Sequence, residues 1–306
     1  MNMSSNKRTR ALPAVMGIAA IAVASAAAAK NWDDWAAPVN LETLPGSSSA
    51  VNTPAIDGCA SHSPDGLTIV FNSSRVGGNH DIYMATRSST SEGFGTPVPL
   101  PAPVNGPSND ACPSLATGHR LYFSSDRDDS AYDLYVSKLG NDGWSEPERL
   151  GGGINVNGSL EETADFYEDD EGREVIIFTR RQGAAGKIYQ SVDGGPPSLV
   201  QGGPHSSASD LRASVTRDGL TIFWDSTRSG GLGGPDLYYA TRSRTSDPFG
   251  TAIHLPAISS PALDLRPNIS KDGTFLTFAS TRAGGESAAP DMWYTTREKI
   301  TGNSGN

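Results

Sequence analysis

The sequence is poor in the residues that several common classes of protein require. Two cysteines in 306 residues exclude a small disulfide-rich scaffold and a cysteine-based zinc cluster. Lysine and arginine number 24 against 34 acids, and the net charge of −10 argues against nucleic acid as a partner, since phosphate binding needs a basic surface. Hydrophobic residues make up 36% with glycine not counted, and the apolar share stays below the ~45–50% usual in globular domains even after allowing for glycine. Beyond the N-terminal thirty residues, no stretch is long and apolar enough to span a bilayer.

Residues 1–29 have the layout of a secretory signal peptide. Lys7, Arg8 and Arg10 precede an apolar run from Ala11, and small residues cluster just before Lys30. The run is too rich in alanine to favour a retained membrane anchor. We therefore expect cleavage within residues 26–29 and a secreted or periplasmic product. In such a compartment the two cysteines can form a disulfide.

An acidic residue recurs through the rest of the chain at intervals of 53, 52, 48 and 54 residues. Each of these leading acids is followed by a turn, a β-type run ending in an aromatic residue, and an arginine. A third run follows, with the form Asp-x-Tyr in most copies, and then an element that reads aromatic-x-x-Pro-x-x-Leu. The leading acids are Asp57, Asp110, Glu162, Asp210 and Asp264.

Four short strands per repeat, without any helical period, predict the blades of a β-propeller. One fourth-strand motif, at Trp35, precedes the first leading acid, and the last repeat has none of its own. We therefore predict an all-β fold with five four-stranded blades over residues 30–300, in which residues 35–43 supply the outer strand of the last blade. Residues 301–306 are expected to form a disordered tail, and we expect a monomer.

Several strings identify a family resemblance. Ser63-Pro64-Asp65-Gly66 and the later Asp81-Ile82-Tyr83 resemble the Pro-Asp variant of the WD-type repeat of TolB-like propellers. The phrase that begins Asp142-Gly143-Trp144 is similar to one in bacterial envelope proteins. The resemblance covers about residues 35–297 and implies the propeller fold. It leaves activity open, because such propellers include scaffolds, partner-binding subunits and some enzymes.

The leading acids begin the innermost strands, so we expect them near the central channel. Three interpretations are open: they build the blades, they bind a cation or polar ligand, or they catalyse a reaction. Presence in every repeat favours construction, since paired catalytic carboxylates need different environments. Calcium is the expected cation if one binds, because it prefers oxygen ligands; no other cofactor is expected.

The position two residues after each leading acid varies, and strand alternation predicts that it faces the channel. It carries Cys59, Cys112, Ala164, Arg212 and Arg266 in chain order. The cysteines predict a disulfide between neighbouring inner strands, with free thiols or a metal pair as alternatives. The two arginines either neutralise the acids or hold a carboxylate, a phosphate or an acidic sugar.

Two further predictions concern charged residues. The repeated arginine and the aspartate of the third run, such as Arg75 and Asp81, are expected to pair across a hairpin. The third repeat deviates most, since Lys187 replaces that aspartate and an acidic run covers residues 168–171. A solvated loop is the first interpretation of this run, and a partner or calcium site is the alternative.

These observations predict a binding or interaction module that recognises a polar ligand, a saccharide or a protein partner at the central channel. The candidate ligand-binding residues are Asp57, Asp110, Glu162, Asp210, Asp264, Arg212 and Arg266. The alternative is a carbohydrate-active enzyme, a glycan hydrolase or lyase that uses carboxylates and arginines in the channel. The sequence contains no Gly-x-Ser-x-Gly, His-Glu-x-x-His, phosphate-loop or dinucleotide motif.

Overall fold

A computed structural model describes residues 32–128, 131–183 and 185–300, together with Met1. The predicted signal peptide after Met1 and the predicted tail lie outside these ranges. The described residues form five antiparallel sheets and no α-helix. The innermost strands contact one another in cyclic order, the last against the first, so the sheets are the blades of a five-bladed propeller. No helix in these ranges could cross a membrane.

Each blade runs from an inner strand on the channel to a two-residue outer strand. Blade one contains β2 (Asp57–His62), β3 (Thr68–Ser73), β4 (Asp81–Thr86) and β5 (Val98–Pro99). Blade two contains β6 (Asp110–Ala116), β7 (Arg120–Ser125), β8 (Asp133–Gly140) and β10 (Glu148–Arg149), and the short β9 (Gly143–Trp144) pairs with the end of β8. Blade three contains β11 (Leu160–Glu168), β12 (Glu174–Gln182), β13 (Ala185–Val192) and β14 (Ser198–Leu199).

Blade four contains β15 (Asp210–Val215), β16 (Thr221–Ser226), β17 (Asp236–Thr241) and β18 (Ile253–His254). Blade five contains β19 (Asp264–Ile269), β20 (Phe275–Ser280) and β21 (Asp291–Thr296). Its outer strand is β1 (Val39–Asn40), in which Val39 pairs with Tyr294 and Asn40 with Trp293. A 3-10 turn over Leu41–Thr43 follows β1. The predicted closure of the ring by an N-terminal strand is confirmed.

The hydrophobic core is divided into five clusters, and each lies between two neighbouring blades. Trp224, for example, is fully buried in the cluster that joins blades three and four. Strand alternation explains this division, because residues on the two faces of one sheet pack against different neighbours. Each blade is therefore stabilised mainly by the next.

Polar side chains join neighbouring blades around the channel. The N–H group two residues after the leading acid, counted from Glu161 in blade three, donates to a side chain on the second strand of the preceding blade at four of the five junctions. These donors and acceptors are Cys112 to Asn72, Thr163 to Ser124, Arg212 to Thr179 and Arg266 to Asp225. At the fifth junction the equivalent second-strand residue, Ala279, has no polar side chain. These bonds fix the positions of the residues that line the channel.

Candidate functional site

Four of the leading acids are fully buried and contact their own blades. One oxygen of each pairs with the repeated arginine at 2.5–2.7 Å, and the other accepts a loop N–H, as Asp57 does from Thr53. The pairs are Asp57 with Arg75, Asp110 with Arg127, Asp210 with Arg228 and Asp264 with Arg282. These contacts favour the interpretation that the acids build the blades.

Two predictions about these charged residues are wrong. The repeated arginine pairs with the leading acid and not with the aspartate of the third strand, so Arg75 contacts Asp57. In blade three the leading acid is Glu161 and not Glu162, since Glu161 is the residue that is fully buried, paired with Arg180 at 2.8 Å and bonded to Ser159. Glu162 occupies the next position, where the other blades carry glycine, alanine or leucine.

A β-bulge follows every leading acid and determines which residues line the channel. The residue two positions after the acid has φ between 46° and 57° in all five blades. These residues are Cys59, Cys112, Thr163, Arg212 and Arg266. Thr163 therefore replaces Ala164 as the blade-three member of this set. Because the bulge interrupts the strand alternation, these residues lie at the channel while the acid contacts its own blade.

The cysteine side of the channel is closed. Cys59 and Cys112 form a disulfide between the inner strands of blades one and two, with their Cα atoms 4.8 Å apart. Thr163 and Arg266 lie beside them around a void of about 10 Å³. That volume is at the lower limit for one water molecule, so the middle of the channel is filled by side chains.

The end of the channel at which the inner strands begin carries a cluster that we call the arginine mouth: Glu162, Arg181, Arg212, Asp225 and Arg266. Arg181 pairs with Glu162 at 2.9 Å, and Arg212 Nε lies 3.1 Å from Asp225 Oδ1 without hydrogen-bond geometry. The backbone N–H of Arg266 donates to the same Asp225 oxygen at 2.9 Å. Within the described residues, the Arg266 guanidinium has no hydrogen bond or ion pair, and its Nε is buried.

The charges in the arginine mouth perturb one another. Burial, and then Arg212, lower the pKa of Arg266 to about 10. Burial alone would raise the pKa of Glu162, but Arg212, Arg181 and Arg266 together lower it. Burial raises the pKa of Asp225 despite the two arginines beside it. Three guanidinium groups face two carboxylates, so the cluster favours an additional negative charge.

Two members of the cluster, Arg181 and Asp225, are not among the ligand-binding residues that the sequence predicts. The sequence predicts Arg181 as the repeated arginine of the third repeat, and this prediction is wrong, since Arg180 pairs with the leading acid Glu161. Asp225 occupies the second-strand position that carries Asn72, Ser124, Thr179 and Ala279 in the other blades. It is the only charged residue in this set, which is the signal that could have found it. Within the described ranges, no three His, Cys, Asp or Glu side chains are grouped closely enough to hold a metal ion.

No protein-family profile and no curated protein matches the chain. Several solved structures, however, are similar to the chain. TolB from Acinetobacter baumannii is 16% identical, with a TM-score of 0.53 over 87% of this chain and 65% of its own. The chain therefore has a TolB-like β-propeller fold. It spans slightly less than two thirds of that TolB.

Solved structures of glycosidases are also similar to the fold of this chain. An α-L-arabinofuranosidase from Podospora anserina is 10% identical, with a TM-score of 0.54 over 88% of this chain and 98% of its own. An arabinanase from Bacillus subtilis is 9% identical, with a TM-score of 0.53 over 79% and 94%. At these identities the likeness concerns the fold alone, and the site must be interpreted from its own residues.

Proposed function

We propose that the protein is a binding module that holds an anionic polar ligand at the arginine mouth. The observation that carries this proposal is Arg266, a guanidinium at the channel without a carboxylate partner of its own. A buried, unpaired cation is costly, and the neighbouring Arg212 increases that cost. A ligand carboxylate or phosphate would give Arg266 a counter-charge and would offset its repulsion from Arg212. A guanidinium can bind such a group through two parallel hydrogen bonds.

The ligand class follows from the residues around Arg266. A carboxylate-bearing saccharide or metabolite would place its anion between Arg212 and Arg266, while Glu162 and Asp225 accept hydrogen bonds from hydroxyl groups. An acidic side chain of a protein partner would use the same arginines. We further propose that the protein acts after export, on the basis of the signal-peptide pattern in residues 1–29.

Calorimetric titration with digalacturonate and with inorganic phosphate tests the anion site. We expect Arg266→Ala to weaken binding by about ten-fold or more, since a charge-assisted hydrogen bond contributes roughly 1.5–3 kcal/mol. The melting temperature should be unchanged or higher, because the variant removes an unpaired charge. Arg244→Ala is the control, as Arg244 is largely exposed and lies outside the channel. Equal affinity in both variants, or no binding of either anion, would contradict the proposal.

A carbohydrate-active enzyme is the second candidate, and one observation favours it. Glu162 and Asp225 lie in the same cluster, and their pKa values shift in opposite directions. Catalytic carboxylate pairs need such a difference, with one group ionised and one protonated. Release of reducing sugar from arabinan and polygalacturonate tests this reading. Turnover that is lost in Glu162→Gln and Asp225→Asn would favour the enzyme, and binding without turnover would favour the module.

A further inference from the structure

A second opening of the channel lies at the opposite end of the five inner strands from the arginine mouth. It is a cavity of about 730 Å³ that we call the turn cavity, because its residues lie at or beyond the ends of these strands. Every blade contributes to it. Representative lining residues, in blade order, are Pro64, Leu115, Phe166, Arg217 and Lys271. Its volume lies within the ~300–1,000 Å³ range of ligand pockets.

A polar contact across the axis separates the turn cavity from the arginine mouth. Lys271 of blade five donates to Asp165 Oδ1 of blade three at 2.7 Å and to the carbonyl of Phe166 at 2.9 Å. The other oxygen of Asp165 accepts from Ser214 Oγ at 2.7 Å. The filled middle of the channel lies on the far side of this contact. A ligand in the turn cavity therefore does not reach Arg266.

The lining of the turn cavity combines apolar side chains with charges of both signs. Leu115 and Phe166 provide apolar surface, and Phe166 is held by Tyr122 at a ring distance of 4.2 Å. Arg217 and Glu168 are exposed, and neither side chain has a hydrogen bond or an ion pair within the described residues. Glu174 is already engaged by Arg120. The fold thus leaves one strong donor and several carboxylate oxygens free at this cavity, since Asp218 and Asp272 each use only one oxygen in their own turns.

These features exclude two ligand classes on physical grounds. A wholly apolar molecule would desolvate Arg217 and Glu168 without giving them partners, which is costly. An anion that reached Arg217 would also face the carboxylates of Glu168 and Asp218, which would repel it. A neutral ligand with many hydroxyl groups can form hydrogen bonds with both Arg217 and Glu168 and is not repelled by the carboxylates.

We propose that the turn cavity binds a neutral oligosaccharide. Hydroxyl groups donate to Glu168 and accept from Arg217, while the C–H faces of a sugar ring lie against Leu115 and Phe166. This site is distinct from the arginine mouth and does not depend on the function proposed there. The two ends of one channel would then recognise different chemistry, an anion at one end and an uncharged polyol at the other.

A glycan array followed by calorimetry tests the proposal on the purified protein. The array carries neutral di- to tetrasaccharides of glucose, galactose, arabinose, xylose and N-acetylglucosamine, with uronate-containing glycans as the comparison. We expect at least one neutral glycan to bind and Arg217→Ala to weaken it by about ten-fold. Thr117→Trp, at an exposed lining position, should change the affinity by narrowing the cavity without disturbing the core.

Two variants distinguish this site from the arginine mouth. Arg266→Ala and Arg244→Ala should both leave the affinity for the neutral glycan unchanged. The proposal is overturned if the array shows no neutral glycan binding or if only uronate-containing glycans bind. It is also overturned if Arg217→Ala leaves neutral-glycan binding unchanged. Loss of that binding in Arg266→Ala alone would assign the saccharide to the other mouth.

Discussion

At the scale of single residues, every blade contains one arginine whose guanidinium makes the same three kinds of contact. In each blade its guanidinium pairs with the leading acid, donates to loop carbonyls and lies over two aromatic rings, as Arg127 does over Phe123 and Tyr135. Burial raises the pKa of Asp110, whereas Arg127 opposes that shift. The arginine therefore stabilises a buried charge as well as packing against the core.

Removal of one of these arginines should be strongly destabilising. Arg127→Ala leaves Asp110, which is fully buried, without its counter-charge. We expect a loss of about 3 kcal/mol in the free energy of unfolding, measured by urea denaturation. Arg244→Ala breaks the exposed pair with Asp247 and should cost less than about 1 kcal/mol. Equal effects of the two substitutions would contradict this account.

At the scale of strands, the junction that closes the ring carries a cluster of acids. Glu42 follows β1, Glu286 precedes β21, and the N–H of Glu286 donates to the buried Asp291 at the start of β21. Burial, Asp57 and Glu286 raise the pKa of Asp291 to about 6. Burial and Glu286 also raise the pKa of Glu42. The carboxyl groups of Asp291 and Glu42 therefore bind protons more tightly in the folded protein than in the unfolded chain.

The stability of the closed ring should fall as the pH rises. Because the pKa of Asp291 is higher in the folded state, its contribution is fully present below the unfolded pKa of about 4 and is lost as the pH passes 6. In urea denaturation, Asp291→Asn should raise the free energy of unfolding by about 1–2 kcal/mol at pH 7.5 and by little at pH 4. Asp236→Asn is the matched control, since Asp236 accepts a loop N–H in blade four in the same way. A pH-independent effect of Asp291→Asn would refute the interpretation.

The sequence was sufficient for the blades and their closure, because the period and the displaced Trp35 motif are global features. It was insufficient for the ion pairs. Arg75 is six residues from Asp81 and eighteen from Asp57, so the nearer acid was expected; strand pairing of Asp57 with Ser73 brings the distant acid to the arginine. The two adjacent acids in blade three likewise left the register open, and the burial of Glu161 and its contacts with Arg180 and Ser159 identify it as the leading acid.

The candidate site could be predicted only in part, for a related reason. Arg212 and Arg266 were recognised because they vary at a repeated position. The bulge that brings them into the channel requires φ near +50° at both arginines. Arginine does not favour this backbone conformation, so the residue type did not predict the bulge. Arg181 and Asp225 lie on second strands, and their closeness to the arginines depends on packing between blades.

At the scale of the whole molecule, the ring is fastened between blades one and two by a covalent bond. The disulfide of Cys59 and Cys112 spans 53 residues, so its loss should lower stability by up to about 4 kcal/mol in the chain-entropy estimate. We expect Cys59→Ser with Cys112→Ser to lower the melting temperature and to abolish the effect of a reductant. A reductant that lowers the melting temperature of the double variant as well would show that its effect has another origin.

The position of the ring closure has a consequence for how the protein can be attached to other molecules. Trp32 and Lys299 form a β-bridge, so the two ends of the described chain leave the propeller side by side at blade five. A tether or a fused domain at either terminus would thus pull on the same blade. Trp32 also lines the turn cavity, so a tether at this point would leave the propeller beside that cavity and at the opposite end of the channel from the arginine mouth.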